Sequence, residues 1–199
     1  MDEAPRELKR RLRAELRQAR RAHAATLPRE VSALVFNRPP GKVLEMVPEG
    51  ATIGLYRSDP GEAPSSRYIR FFFERGHPIA LPRVTTLDRP MQFHLHTDPY
   101  EESDLEEGPM KLRQPAAHAP LVVPEVLFMP LVGFTPTGER LGQGGGYYDR
   151  HLAANPHTVA IGMAWDMQEV ETLPLEPHDM PLAAIITPTR VLGPFSHAS

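Results

Sequence analysis

The pattern of apolar positions along the chain predicts helices that alternate with short buried strands. Leu8, Leu12 and Leu16 follow one another at i, i+4 and i+8, the spacing of one apolar stripe on a helix over residues 7–25. Further helical patterns cover 29–36, 64–75 and 147–154. Short apolar or alternating segments predict strands over 51–56, 78–81, 91–96, 126–130, 159–164 and 183–187. This order favours an α/β layered fold with a mainly parallel sheet flanked by helices, and with ligands at the carboxyl ends of the strands.

Length and composition fit a single domain over 1–199. The chain has 199 residues, of which 41% are apolar and 24% charged, with a formal net charge of -3. This balance offers no general attraction to nucleic acid or to a membrane surface. No cysteine is present, which excludes disulfides, thiolate nucleophiles and cysteine-ligated metal centres. No apolar run approaches the roughly 20 residues of a membrane-spanning helix, and the charged N-terminus does not resemble a signal peptide. We expect a cytoplasmic monomer that acts on small molecules.

The first predicted helix concentrates positive charge. Lys9, Arg13 and Arg17 lie one turn apart along one edge, so their side chains can reach a single polyanionic ligand together. A solvated basic face without a ligand explains the same pattern.

A glycine-dense loop within 128–150 joins a predicted strand to a predicted helix and holds most of the candidate chemistry. Four glycines leave room for an anion to approach backbone N–H groups beside the positive end of that helix: Gly142, Gly144, Gly145 and Gly146. Arg140 can add a bidentate contact to phosphate oxygens, and Asp149 can hold a magnesium ion that bridges them. The spacing matches neither the standard nucleoside-triphosphate loop nor the dinucleotide fingerprint. A tight glycine turn, with Asp149 as an N-terminal helix acid, is the alternative.

The run Arg140-Leu-Gly-Gln-Gly-Gly-Gly-Tyr-Tyr-Asp149 resembles the signature of the 5-formyltetrahydrofolate cyclo-ligases, also called methenyltetrahydrofolate synthetases. The likeness extends in order along nearly the whole chain. It includes Lys9 and Arg13 in the first helix, Tyr56 with Glu62 six residues later, and the segments 80–82, 91–93, 173–179 and 186–187.

This resemblance implies an enzyme that uses ATP, with Mg2+ as counterion, to cyclise 5-formyltetrahydrofolate to 5,10-methenyltetrahydrofolate with release of ADP and phosphate. Lys9, Arg13 and Arg140 would bind the ATP phosphates and act in catalysis. The rest of the phosphate cradle would be Leu141, Gly142, Gln143, Gly144, Gly145, Gly146, Tyr147 and Tyr148. Folate would contact Tyr56, Arg57, Glu62, Gln143, Gly144, Gly145, Gly146 and Tyr147. Asp149 and Asp179 match the family's magnesium-associated carboxylates.

Within this resemblance, Glu62 matches the acidic residue that anchors the pterin ring, because a carboxylate can accept paired N–H donors from a 2-amino-4-oxopyrimidine. Three positions depart from the expected pattern. Arg57 stands where an apolar residue is common, Thr135 where an acid often follows the phenylalanine, and Gln143 at a frequently basic or aromatic loop position. We expect these departures to affect folate affinity and polyglutamate preference more than the reaction type.

Other interpretations stay open at the level of sequence. The chain can be a folate- or nucleotide-binding protein of the same fold without turnover, or an isomerase that holds a sugar phosphate in the glycine loop. The basic helix can bind nucleic acid, although it lacks interleaved aromatic residues. His94 and His96 share one face of a predicted strand, either as zinc ligands or as a solvent-facing edge. The acidic segment 98–108 is expected to be a solvated loop or a lid.

Overall fold

The computed structural model describes residues 5–28, 31, 34–86 and 90–196. Within them the α-helices are α1 Pro5–Thr26, α2 Gly41–Leu44, α3 Ser66–Phe73 and α4 Tyr147–Ala154. Short 3-10 turns occupy Pro109–Lys111 and Asp166–Gln168. The predicted helices over 7–25, 64–75 and 147–154 are confirmed, whereas half of the predicted helix over 29–36 lies outside the described residues.

A large mixed sheet forms the centre of the molecule. The strands are β1 Ile53–Gly54, β2 Ile79–Arg83, β3 Gln92–His96, β4 Leu105–Glu107, β5 Arg113–Pro115, β6 Leu121–Val122, β7 Val126–Pro130, β8 Gly133–Phe134, β9 Arg140–Leu141, β10 Val159–Met163, β11 Ala184–Ile186 and β12 Val191–Leu192. The main sheet has the order β12-β11-β10-β7-β1-β2-β3-β6, while β4–β5 and β8–β9 form separate hairpins. Strands β11, β10, β7, β1 and β2 pair in parallel, and β12, β3 and β6 add antiparallel edges. The prediction of a mainly parallel sheet is therefore confirmed.

The central strand β7 is buried on both faces, as its uninterrupted apolar sequence predicts. Val126 and Phe128 join a core cluster that includes Tyr68, Phe71 and Phe72 of α3. Leu127 and Met129 join a second cluster that includes Leu152 of α4. Successive side chains of a strand point to opposite faces, so α3 and α4 cover the two sides of the sheet.

Helix α1 lies across the carboxyl ends of β7 and β10. The Arg20 Nη1 atom donates to the carbonyl of Leu131, directly after β7, at 3.0 Å. The His23 ring meets the Trp165 ring, two residues after β10, with centroids 5.2 Å apart. Leu16 packs on Gly133, where an added Cβ would lie 2.6 Å from the Leu16 Cδ1 atom. Both the polar edge of α1, through Arg20, and its apolar stripe, through Leu16, hold the helix in this position.

The histidines of β3 are buried, so the prediction of a solvent-facing edge is wrong. His94 and His96 are 7% and 3% exposed. The Nδ1 atom of His94 lies 2.7 Å from the Ala119 carbonyl oxygen, and that of His96 lies 2.9 Å from Asp104 Oδ1. Pairing of β3 with both β2 and β6 covers the strand, which the sequence pattern does not reveal. In the described chain, no group of three or more His, Asp or Glu side chains is arranged to hold a metal ion.

The acidic segment 98–108 is mainly exposed and contains the short strand β4. Asp98 accepts hydrogen bonds from the backbone of Glu101 and Ser103 at 3.0 and 3.1 Å. Hydrogen bonds from the Ser103 hydroxyl and these amides lower the pKa of Asp98 to about 2.

No described helix combines the length and the apolar character that crossing a bilayer requires.

Candidate active site

A cavity of about 550 Å³ opens at the carboxyl end of β7, between α1 and the glycine loop. Its walls come from the start of α1, the loop 140–149 and the segment 176–179, with Met91 and Pro130. Every residue predicted from the sequence to contact ATP or magnesium lines it: Lys9, Arg13, Arg140, Leu141, Gly142, Gln143, Gly144, Gly145, Gly146, Tyr147, Tyr148, Asp149 and Asp179. Three segments distant in the chain thus meet in one concave site.

The glycine loop follows the β8–β9 hairpin and ends at the first turn of α4. Gly144 and Gly146 have φ values of +105° and +63°, in the left-handed region that favours glycine. Gly146 is also the N-cap of α4, so the loop ends in the amide groups at the positive end of this helix. On the other side, Arg13 Nε donates to the carbonyl of Gly142 at 2.9 Å, which ties the loop to α1.

Lys9 is the deepest cation on the α1 side of the cavity. It is 4% exposed, and its Nζ atom lies 2.8 Å from Glu176 Oε2 and 2.6 Å from Asp179 Oδ2. The Lys9 hydrogen bond lowers the pKa of Glu176. Burial alone would raise the pKa of Asp179, but hydrogen bonds from Lys9 and from the Glu176 backbone outweigh it and give a net lowering. Both carboxylates are therefore ionised at neutral pH.

Arg140 and Asp149 form a second ion pair on the loop side. Arg140 is 6% exposed, its Nη2 atom donates to Asp149 Oδ1, and its Nε atom donates to the Met180 carbonyl at 3.2 Å. The backbone N–H of Met180 donates to the same Asp149 oxygen at 3.1 Å. Burial lowers the pKa of Arg140, and the nearby Asp149 opposes this effect. The pair fixes the guanidinium at the wall of the cavity.

A second cavity of about 660 Å³ is lined by α1 residues, the segment 59–61 and Gln143. Glu62 is buried and lines neither cavity itself, but it contacts Arg20 and Gln143 in the wall of this one. Its Oε2 atom accepts the Asp59 N–H at 3.0 Å, and its Oε1 atom accepts Gln143 Nε2 at 2.9 Å. Arg20 Nη1 lies 3.5 Å from the same Oε1 atom. Burial raises the pKa of Glu62, and these donors oppose it only in part.

Gln143 connects the two cavities, since it lines both. Besides its bond to Glu62, its Oε1 atom accepts Arg17 Nε at 2.9 Å, and its backbone carbonyl accepts Arg17 Nη2. Gln143, which departs from the expected family pattern, thus joins the glycine loop to α1 and to the loop that carries Glu62.

Two predicted folate contacts lie elsewhere. Tyr56 is 2% exposed, and its hydroxyl donates to the Ala63 carbonyl, which holds the loop that carries Glu62. Arg57 is exposed and pairs with Glu102 of the acidic segment. Neither residue lines either cavity. Thr135 is buried, and its hydroxyl donates to Glu139, closing the turn of the β8–β9 hairpin.

Sequence reasoning missed Arg20 and Glu176. Arg20 continues the edge of Lys9, Arg13 and Arg17 by almost one further turn, so the helical spacing itself could have found it. Glu176 lies three residues before Asp179, and its backbone N–H donates to Asp179 Oδ2 at 2.7 Å. Only the tertiary arrangement brings it to Lys9.

Comparison with known proteins gives consistent matches. The sequence model of the 5-formyltetrahydrofolate cyclo-ligase family matches residues 5–188. The chain is 35% identical over 146 residues to the 5-formyltetrahydrofolate cyclo-ligase of Escherichia coli K12, covering 70% of this chain and 79% of that protein. Identity to the Haemophilus influenzae cyclo-ligase is 31% over 144 residues, covering 69% and 76%.

Solved structures share the fold. The 5,10-methenyltetrahydrofolate synthetase of Aquifex aeolicus superposes with a TM-score of 0.69 at 26% identity, covering 94% of this chain and 95% of that one. The Mycoplasma pneumoniae 5,10-methenyltetrahydrofolate synthetase gives a TM-score of 0.65 at 23% identity, covering 89% and 97%, and supports the fold alone.

Proposed function

The chain belongs to the 5-formyltetrahydrofolate cyclo-ligase family, and on this basis we propose that it uses ATP to convert 5-formyltetrahydrofolate into 5,10-methenyltetrahydrofolate, ADP and phosphate. The observation that carries the proposal is the meeting of a glycine loop, three basic side chains and two aspartates in one cavity, next to the buried Glu62. The glycine loop, the basic side chains and the aspartates suit a triphosphate, and the Glu62 carboxylate suits a pterin ring.

In this proposal the first cavity, with the glycine loop and its basic side chains, binds ATP. The loop 142–146 approaches the phosphates with backbone N–H groups, and Lys9, Arg13 and Arg140 supply positive charge from two sides. Lys9 and Arg140 are already buried and held by partners, so little side-chain freedom is lost when they bind phosphate. This is the arrangement that phosphoryl transfer requires, because its catalysis rests mainly on position and charge.

Magnesium fits the two cavity aspartates as an ion that arrives with ATP. Magnesium is usually held by one or two carboxylates together with waters and substrate phosphates. Asp149 and Asp179 provide this number of ligands, whereas no cage of three acidic or histidine groups exists among the described residues. To hold the magnesium ion, Asp149 would give up its ion pair with Arg140, and Asp179 its ion pair with Lys9. The bound ion would neutralise negative charge on the transferred phosphate.

The folate ring is assigned to the second cavity. The Glu62 carboxylate accepts N–H donors from the protein in the ligand-free state, and a 2-amino-4-oxopyrimidine edge offers two such donors. Gln143 lines both cavities, so a folate at Glu62 lies next to the glycine loop that holds the γ-phosphate. The assignment of Tyr56 and Arg57 as folate contacts stays a prediction. Tyr56 would act by holding the loop that carries Glu62.

The reaction requires no protein nucleophile. The formyl oxygen attacks the γ-phosphorus and ADP leaves; N10 then attacks the activated carbon and loses its proton, and phosphate leaves as the ring closes. Lys9, Arg13 and Arg140 stabilise the charge on the transferring phosphoryl group, and Glu62 fixes the folate for attack. We also propose a cytoplasmic monomer, which light scattering and cell fractionation would test.

The test is the near-ultraviolet absorbance of the methenyl product. Purified protein is mixed with 5-formyltetrahydrofolate, ATP and magnesium, and each component is omitted in turn. Product is expected only in the complete mixture, with a large loss of rate for Asp149→Ala and none for Glu49→Ala, an exposed acid outside both cavities. A folded wild-type protein that binds ATP and yields no product would instead support the non-catalytic binding protein.

A further inference from the structure

Arg20 is a buried arginine whose donors are mostly unused. It is 4% exposed and lines the second cavity. Its hydrogen bonds within the described chain both come from Nη1, to the Leu131 carbonyl at 3.0 Å and to Glu62 Oε1 at 3.5 Å. Its Nε atom is buried and has no partner among the described residues. The Nη2 atom also makes no hydrogen bond to the described residues and is not enclosed like Nε, so it is the donor that a ligand in the cavity can use.

Arg20 does more than neutralise Glu62. The distance of 3.5 Å lies at the outer limit of a hydrogen bond, although both side chains are almost fully buried. A pair that served only to neutralise charge would be expected to close to a shorter, bidentate contact. Glu62 instead takes its shorter bonds from Asp59 and Gln143. The guanidinium therefore stands beside the carboxylate with donors left over.

The edge of a 2-amino-4-oxopyrimidine matches this pair of side chains. The edge presents two donors, the 2-amino group and N3–H, followed by one acceptor, the 4-oxo oxygen. Glu62, which lies directly behind the cavity wall formed by Arg20 and Gln143, supplies acceptors for the two donors, and Arg20 supplies the donor for the oxygen. Together the two side chains offer one partner group for each of the three positions of the ring edge.

We propose that Arg20 donates to the 4-oxo group of the folate and thereby selects 4-oxo over 4-amino pteridines. The inference rests on the proposed function, since it needs the pterin ring at Glu62. A 4-amino group would turn an N–H donor toward the guanidinium and leave both without an acceptor. Neighbouring arginines are less suited, because Arg17 is engaged with Gln143 and Arg21 is exposed.

The experiment compares 5-formyltetrahydrofolate with its 4-amino analogue, 5-formyltetrahydroaminopterin. Cyclisation takes place at N5 and N10, away from C4, so the kcat/KM ratio of the two compounds reports recognition of the ring edge alone. Wild-type protein is expected to prefer the 4-oxo compound. A hydrogen bond from a charged donor is worth about 1.5–3 kcal/mol, so Arg20→Met should reduce this preference by about tenfold or more. Arg11→Met, an exposed change on the same helix, should leave the ratio unchanged.

Arg20→Lys keeps the positive charge beside Glu62 but offers one nitrogen in place of the guanidinium fork, so its preference should also be lower than that of wild type. This variant decides the matter if Arg20→Met does not fold. An equal loss for both compounds, or an unchanged ratio in the variants that fold, would overturn the inference while leaving the cyclo-ligase activity in place. Absence of product from wild-type protein with 5-formyltetrahydrofolate would overturn the proposed function itself.

Discussion

Replacement of Arg140 by methionine removes the guanidinium from the cavity while keeping a side chain of similar length. Two hydrogen bonds are lost, those to Asp149 Oδ1 and to the Met180 carbonyl. Asp149 then keeps the Met180 N–H, at 3.1 Å, as a donor to its Oδ1 atom. The substitution therefore affects both stability and the proposed phosphate contact, and the two effects can be measured separately.

The expected magnitudes differ. Breaking a fully buried ion pair by removing one partner costs about 3–5 kcal/mol, but the Asp149 side chain is 18% exposed and keeps one donor, so about 1–3 kcal/mol is expected. Loss of one donor to the transferring phosphoryl group should lower kcat by about 100- to 1,000-fold. Arg140→Lys retains charge without the fork and should fall between wild type and Arg140→Met in both measurements.

Urea unfolding gives the first quantity, and the absorbance assay at saturating ATP and folate gives the second. The matched control is Arg83→Met, because Arg83 is also a largely buried arginine, paired with Glu106 at 2.6 Å away from both cavities. It should lose stability and keep kcat. If Arg140→Met retained kcat within a few-fold of wild type while it lost stability, Arg140 would only hold Asp149, and its assignment to phosphoryl transfer would be wrong.

Three further predictions concern the loop, the folate anchor and the core. In Gln143→Ala, Glu62 loses an amide donor that would compete with the pterin edge, so the dissociation constant of 5-formyltetrahydrofolate in calorimetry should fall by about 2- to 10-fold; weaker binding would instead support Gln143 as a folate contact. Because burial raises the pKa of Glu62 above its usual 4.5, the KM for folate should rise as pH falls through that raised value, and Glu62→Gln should abolish this dependence. Gly162→Ala places a Cβ 2.6 Å from Leu131 Cδ1 and should cost about 1–3 kcal/mol in urea unfolding, whereas Gly41→Ala meets no atom within 4 Å and should not destabilise.

The elements with strong periodicity could be predicted from the sequence. The aromatic positions of α3 and the uninterrupted apolar run of β7 reflect burial in the two core clusters. The leucine stripe of α1 is only half-buried, and it packs at Gly133 through Leu16. The short strands β4, β5, β6, β8, β9 and β12 could not be predicted, because two or three residues are too few to show an alternating pattern. Their pairing depends on contacts with strands that are distant in sequence. Strands β1 and β11 are equally short, but they lie within the longer apolar segments 51–56 and 183–187.

The candidate site also has parts that follow from local sequence patterns and parts that depend on tertiary contacts. The glycine loop and the edge formed by Lys9 and Arg13 are local patterns that the sequence shows separately, and only the family resemblance predicts that they form one site. The burial of Lys9 and Arg20 could not be predicted in this way, since the leucine stripe suggests that the basic residues face solvent. Lys9 and Arg20 face inward here because the edge of α1 that carries them borders the two polar cavities.

The ligand-free site is held together by the same groups that are proposed to bind the substrates. Lys9 pairs with Glu176 and Asp179, and Arg140 pairs with Asp149. Buried charges are costly unless they are paired, so each needs an intramolecular partner until a ligand arrives. ATP with magnesium would offer phosphate oxygens to the two cations and the metal ion to the two aspartates, while the partly exposed Glu176 would keep Arg6 and His178 nearby. Binding then exchanges partners without exposing an unpaired charge, but only if nucleotide and metal enter together. This requirement predicts that each should strongly enhance the binding of the other, which titration of ATP with and without magnesium would measure.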